Sequence, residues 1–228
     1  MENGTGLVLG PALPLGTSIK RMSKSTPRRK LSDLVEVKPG YAFRSKIEHD
    51  PGGDFVVIQP SNVGPAGEVD VAELPRVGEV KPQSYHLVDA DTVLFVAYGP
   101  RNRAYRFEDL PDNTIASSTF YLLKPLAWRQ LNLLENRNDR ILPGYLAWYL
   151  NQPQAQAYIE ALRSGVSVQM LRRDAFGSLE IPVPPVDMQK KVAEIALLAV
   201  EEEQLTRALM EKRRTFIDNL LLDKIQNS

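Results

Sequence analysis

The chain has no cysteine and only two histidines, His49 and His86, among its 228 residues. Without thiols there are no disulfides, no thiolate zinc sites and no cysteine nucleophiles, and two imidazoles leave little for metal chemistry. No metal site is therefore expected. Apolar runs are short: none approaches the roughly 18–20 residues that a membrane span needs. The N-terminus also lacks the charged-then-apolar order of a secretory signal, so the expectation is a cytoplasmic protein with no membrane partner. Net charge is absent too, with 28 Lys/Arg against 28 Asp/Glu, whereas proteins that hold nucleic acid by bulk electrostatics carry a basic excess. What is present is an ordinary globular composition, 43% hydrophobic, with room for one large or two small domains.

The charge is unevenly spread. Residues 1–30 carry six Lys/Arg against Glu2 alone, residues 31–186 carry fifteen against nineteen Asp/Glu, and residues 187–228 carry seven against eight. Residues 1–29 are rich in Gly, Pro, Ser and Thr without apolar period and read as a flexible tail. Its basic end, Arg28 to Lys30, could touch phosphate, although a solvated leader is the plainer reading.

From Leu31 the texture becomes short β-rich pieces: LVEV at 34–37, FVVIQ at 55–59, VLFVAY at 93–98 and STFYLL at 118–123. Pro39-Gly40, Pro51-Gly52-Gly53, Gly64-Pro65 and Gly99-Pro100 separate them as turns. After about Leu142 the period is helical. Pro143 suits a first turn, with Leu146, Tyr149 and Leu150 on one face. A second helix is expected from Pro153 to about Leu162, stopped by Ser164-Gly165. A short turn follows around Arg172 to Phe176, and Leu179 to Val183 reads as an edge strand because Pro182 lacks a ladder donor. Asp187 is placed as the N-cap of a last helix of roughly forty residues, about 60 Å long. Its stripe, Val192, Ile195, Leu198, Leu205, Leu209, Phe216 and Leu220, is too long to hide against a small domain and should meet another helix, as in a coiled coil.

Catalytic constellations are missing. No glycine-bearing cofactor loop and no N/D-P-P-aromatic tetrapeptide occurs, as an adenine methyltransferase would need, and there is no P-loop for ATP-driven translocation. A nuclease of the D…E-x-K type could try Glu36-Val37-Lys38 or Glu79-Val80-Lys81, but for Glu79 the upstream Asp70 lacks the usual preceding Pro and Pro111-Asp112 comes too late. Glu48-His49-Asp50 lies in a Gly/Pro-flanked turn without a nucleophile. Trp128, Tyr145, Trp148 and Tyr149 could stack on bases, but their helical spacing favours packing.

The segment Leu179, Ile181, Pro182, Pro184, Pro185 and Gln189 resembles the "L, spacer, IP-x-PP, spacer, Q" phrase of the DNA-specificity (S) subunits of type I restriction-modification systems, where it leads from a target-recognition domain into a spacer helix. Gly40-Tyr41-Ala42-Phe43-Arg44-Ser45 is similar to the "G-x-x-F-x-S" opening of those domains, and Val57 to Val63 to the strand and polar turn after it. Leu87 to Gly99 is similar to their "L-x-x-G-D-hydrophobic" segment, with Ala90 where the family has Gly. Ser117-Ser118-Thr119 stands where small residues precede a central strand. The resemblance covers about residues 31–226. It implies an α+β fold: a mostly β target-recognition domain at 30–186 with a helical C-terminal part, then a long coiled-coil-like spacer helix at 187–228. One domain and one helix make it a half-length form.

What the resemblance implies is a non-catalytic subunit of a phage-defence complex. It would bind double-stranded DNA and direct an adenine-N6 methyltransferase, which holds S-adenosylmethionine; the chain itself takes no cofactor. A restriction-translocase subunit is a further partner it admits. A single copy would rebuild the two-domain geometry as a homodimer on a palindromic, gapped site. The competing reading is an adaptor that keeps the fold and serves another defence effector. Base reading needs loops that reach the major groove. Three candidates have suitable chemistry: Tyr98, Arg101, Asn102 and Arg103; Gln59, Ser61 and Asn62; and Ser164, Ser167, Gln169, Arg172 and Arg173. For each, an ordinary solvated loop is the rival reading.

Overall fold

The structure, a computed structural model, describes residues 26–64, 67–99, 101–126, 140–163 and 170–226. Strand β1 (Arg28–Lys30) runs into a single helical turn α1 (Leu31–Leu34) and strand β2 (Val35–Pro39). Strands β3 (Phe55–Ile58), β4 (Arg76–Val77), β5 (Val93–Val96), β6 (Ala104–Arg106), β7 (Thr114–Ala116) and β8 (Phe120–Pro125) follow. The helical part comprises α2 (Pro143–Leu150), α3 (Pro153–Ala161), the short α4 (Arg173–Gly177) and, after β9 (Glu180–Pro182), the long α5 (Val186–Gln226). The fold is α+β.

Three sheets are formed among the described residues: β2-β8-β5-β6, all antiparallel; β4-β3-β7, in which β3 and β7 are parallel; and the β1-β9 pair. The first sheet lies in the middle of the domain, which explains why β5 is apolar at every position. Alternate side chains of a strand face opposite ways. Val93 and Phe95 pack with Tyr121 and Leu123 against the helices, while Leu94 and Val96 pack with Phe120 and Leu122 against the second sheet through Val56, Ile58 and Ala116. A strand covered on both faces reads as a continuous apolar run. On the helical side, Phe176 of α4 stacks on Phe95 at 4.4 Å between centroids.

The phrase around residues 179–189 works as a clamp on the long helix. Leu179 and Ile181 are buried, and the Leu179 carbonyl accepts from the Leu31 amide at 2.8 Å. Strand β9 lies along the aromatic face of α2, where the Tyr145 hydroxyl donates to the Pro182 carbonyl at 2.8 Å. Gln189, with no exposed surface, uses its whole amide. Its Oε1 accepts from Leu142 N at 2.9 Å, and its Nε2 donates to Arg140 O at 3.0 Å and Pro184 O at 2.9 Å. Helices α2 and α5 also approach closely, since a Cβ on Gly144 would lie 2.9 Å from that of Ala193.

Several expectations change. Arg28 and Arg29, assigned to the tail on composition, belong to β1: Arg28 pairs with Pro182 and Arg29 with Ile181. The Arg28 guanidinium also donates to Glu180 O at 2.9 Å. The 34–37 segment is a strand only from Val35, because Leu34 closes the turn α1. Asp187 is not the cap: α5 begins at Val186, and the Pro185 carbonyl receives the amides of Met188 and Gln189. Val192 packs on its own domain's core rather than waiting for a second helix. The Ser164-Gly165 stop lies outside the described residues. Among those described, no helix is long and apolar enough to cross a membrane.

Candidate nucleic-acid interface

Two of the three loops singled out by sequence meet at one end of the sheets, around the turn 117–119. The Ser117 amide donates to Ile58 O at 3.0 Å, which sets the start of the Gln59 turn beside it, and the Ala97 amide donates to Thr119 O at 2.9 Å, which sets the Tyr98 loop on its other side. Leu171 joins them, its amide donating to Ala97 O at 2.9 Å. The Gly40 position is fixed by the same turn: a Cβ there would come 2.1 Å from the Ser117 carbonyl oxygen, so only glycine fits. Gly99, with φ of +109°, turns the chain just after Tyr98.

Within the first loop Tyr98 is 50% exposed, and Arg101 and Arg103 are exposed on either side of Asn102. Both guanidiniums act on the phenol of Tyr105: burial raises its pKa, and the charges of Arg103 and Arg101 oppose the rise. Asn102 is a correction. It is buried, its Nδ2 donates to Val96 O at 2.7 Å and its Oδ1 accepts from Arg163 Nη1 at 2.9 Å. With both ends of the amide occupied it cannot read adenine; it holds the loop in shape. Gln156 supports it by donating to Asn102 O at 2.8 Å, and Asn151 bonds both backbone groups of Ala104 at 3.0 and 2.8 Å. Neither residue was singled out as functional from sequence, since a helical Gln or Asn gives no local sign of a distant backbone partner.

In the second loop Gln59 and Asn62 are half-buried and Ser61 is exposed. Asn62 Oδ1 accepts from the Gln59 amide at 2.9 Å, so that oxygen caps its own turn and Ser61 is the freer group. Of the third set, Ser164, Ser167 and Gln169 lie outside the described residues. Arg172 is exposed next to Leu171, at the loop end. Arg173 instead lines an open recess of about 690 Å³ with Ser32, Val35, Glu36 and Val37. Those β2 residues pair with the far end of β8, so Arg173 turns toward the flank. Tyr121, raised by burial and opposed by the Arg173 charge, donates to Leu171 O and ties this segment to the sheet. Met170, 38% exposed, adds an apolar group beside the loops that the sequence did not mark.

The aromatic residues of α2 are not a stacking platform. Tyr145 and Tyr149 are buried and Trp148 packs against the same core; Trp128 lies outside the described residues. In the 48–50 turn His49 Nδ1 accepts from the Arg76 amide at 3.2 Å and Asp50 Oδ1 from the Gly52 amide at 3.0 Å, so both side chains hold the local backbone.

No family model matches the chain, and no curated protein matches it either. Solved structures do. The HsdS subunit from Thermoanaerobacter tengcongensis aligns with TM-score 0.52 at 15% identity, over 81% of this chain and 39% of that one. A chain solved to explain complex assembly and conformational transition of the type I R-M system aligns with TM-score 0.53 at 16% identity, over 86% and 44%. The S subunit of the type I restriction-modification system from M. genitalium gives 0.47 at 21% identity, over 86% and 42%. The chain thus spans about two fifths of the length of these proteins. Across the first two alignments the likeness is one of fold: an α+β domain followed by one long helix, similar in fold to the HsdS subunit and to a chain of the type I R-M system.

Proposed function

We propose that the chain reads a DNA sequence for an adenine-N6 methyltransferase, without catalysis of its own, and does so as a homodimer on a palindromic, gapped site. The observation that supports DNA reading is that the backbone segments leading to Ser61, Tyr98 and Arg172 meet near the turn 117–119, with these side chains and those of Arg101 and Arg103 exposed. Arginine is the side chain suited to bidentate contact with guanine, and exposed hydroxyls and guanidiniums also hold phosphates. A domain with no net basic excess needs such a local cluster, and the methyltransferase would add phosphate contacts of its own. S-adenosylmethionine would reside on that partner, and a restriction-translocase subunit could join the same assembly.

The test is co-purification from the host, looking for an adenine methyltransferase among the captured proteins, together with maps of methylated adenines in the host genome with and without this gene. Loss of one palindromic, gapped motif on deletion is the expected result. An unchanged methylome without a co-purifying methyltransferase would leave the adaptor reading, which the acidic balance of residues 31–186 favours.

A further inference from the structure

Past Val192 the long helix leaves its domain, and Ile195, Leu198, Leu205, Leu209 and Phe216 are between 63 and 72% exposed. At about 100° per residue these five lie on one stripe, spaced in threes, fours and sevens. The intervening and flanking places of that stripe are polar: Lys191, Glu202, Lys212, Asn219 and Asp223. Together they form an unbroken heptad seam of about 48 Å.

We infer that this seam pairs two copies of the chain antiparallel in a single register, symmetric about Arg207 and set by two ion pairs, Glu202 with Lys212 and Lys191 with Asp223 of the second copy. The inference rests on the homodimer reading and specifies it. When two such helices run antiparallel about Arg207, Leu205 meets Leu209, Leu198 meets Phe216, and Ile195 meets Asn219 with Leu220 beside it. Glu202 then falls opposite Lys212 and Lys191 opposite Asp223, and by symmetry every pair occurs twice. A parallel pair in register would set Glu202 on Glu202, Lys212 on Lys212 and Lys191 on Lys191, and like charges across a seam cost several kcal/mol. Sliding the antiparallel pair by one heptad is no better. In one direction Leu205 meets Glu202 and Ile195 meets Lys212; in the other Leu209 meets Lys212 and Leu198 meets Asp223. Of these arrangements only the first matches acid with base and, Ile195 opposite Asn219 apart, apolar with apolar, which is how polar seam residues specify orientation at some expense in stability.

The test is the dimer dissociation constant of the full chain, measured by analytical ultracentrifugation. Glu202 and Lys212 are exposed and outside the core, so variants there keep the domain's melting temperature. Glu202→Lys and Lys212→Glu should each weaken the dimer by about a hundredfold or more, and the double exchange should return it to within about threefold of the parent. Glu211→Lys, off the seam, should change it little. Because the chain has no cysteine, Leu205→Cys mixed with Leu209→Cys should form a disulfide across the pair faster than either variant alone. Faster self-crosslinking of Leu205→Cys, or indifference to Glu202→Lys in a chain that is dimeric, would overturn the register and leave the homodimer standing. A parent chain that stays monomeric at micromolar concentration, with DNA and methyltransferase present, would overturn both.

Discussion

Two residues show how far a motif can be understood one side chain at a time. Gln189 stood out in sequence only through resemblance, but the structure gives its reason: a buried amide that satisfies one backbone N–H and two carbonyls between α2 and α5. Gln189→Leu strands those three groups, and an unmade buried bond costs about 1–3 kcal/mol. A loss of about 2–4 kcal/mol in urea denaturation is expected. Asn102 went the other way. Its residue type suggested base contact, but burial, which no single sequence position reveals, makes it internal. Asn102→Ala should therefore lower the melting temperature, whereas Arg101→Ala with Arg103→Ala should leave it unchanged and weaken specific DNA binding by about 1–3 kcal/mol per bidentate contact. An adaptor would be indifferent to the arginine pair. Tyr145 supplies a pH test. Burial, helped by the neighbouring Tyr149 and opposed by Arg28, pushes its phenol up to about 12, against about 10 in the unfolded chain. Its contribution is whole below pH 10 and is lost as pH rises toward 12, because the unfolded state gives up the proton first. Tyr145→Phe should flatten the alkaline limb of the stability curve.

Among the elements, those with a strong pattern were legible. The 55–58 and 93–96 strands announced themselves as apolar runs, and α2, α3 and α5 by their periods and by Pro143 and Pro153 at first-turn positions. Strand β1 was hidden because Arg-Arg-Lys carries no β signal; it is held by pairing with β9, at a separation of about 150 residues. Tertiary partners override local propensity in such places. Asp187 was misread for a related reason: the Pro185 carbonyl already receives the first-turn amides, so the helix opens two residues earlier than a cap at Asp187 would start it. The close seat of α5 on α2 depends on Gly144. Gly144→Val should force the helices apart and cost about 1–3 kcal/mol, read as a lower unfolding midpoint.

For the whole molecule, the layers were foreseeable and the meeting of loops was not. Sequence order separates Ser61, Tyr98 and Arg172 by dozens of residues, and the backbone bonds of the turn at 117–119 together with that from Leu171 to Ala97 bring their segments to one end. The long helix was foreseen with nearly its observed length, because a stripe over forty residues has no room on a domain this small. Removing residues 194–228 should leave the core intact, since among the described residues it holds none beyond Val192; the shortened chain is expected to melt as one cooperative unit and to sediment as a monomer. Mechanically, α5 is a lever whose fulcrum is Gln189. At about 1.5 Å per residue the helix extends some 55 Å beyond that amide, so a tilt of about 5° at the base would carry the tip roughly 5 Å, a full helical turn out of place. The three hydrogen bonds at one glutamine, with the seat of Val192 and Ala193 just beyond it, thus fix the bearing along which everything attached to the far end is aimed.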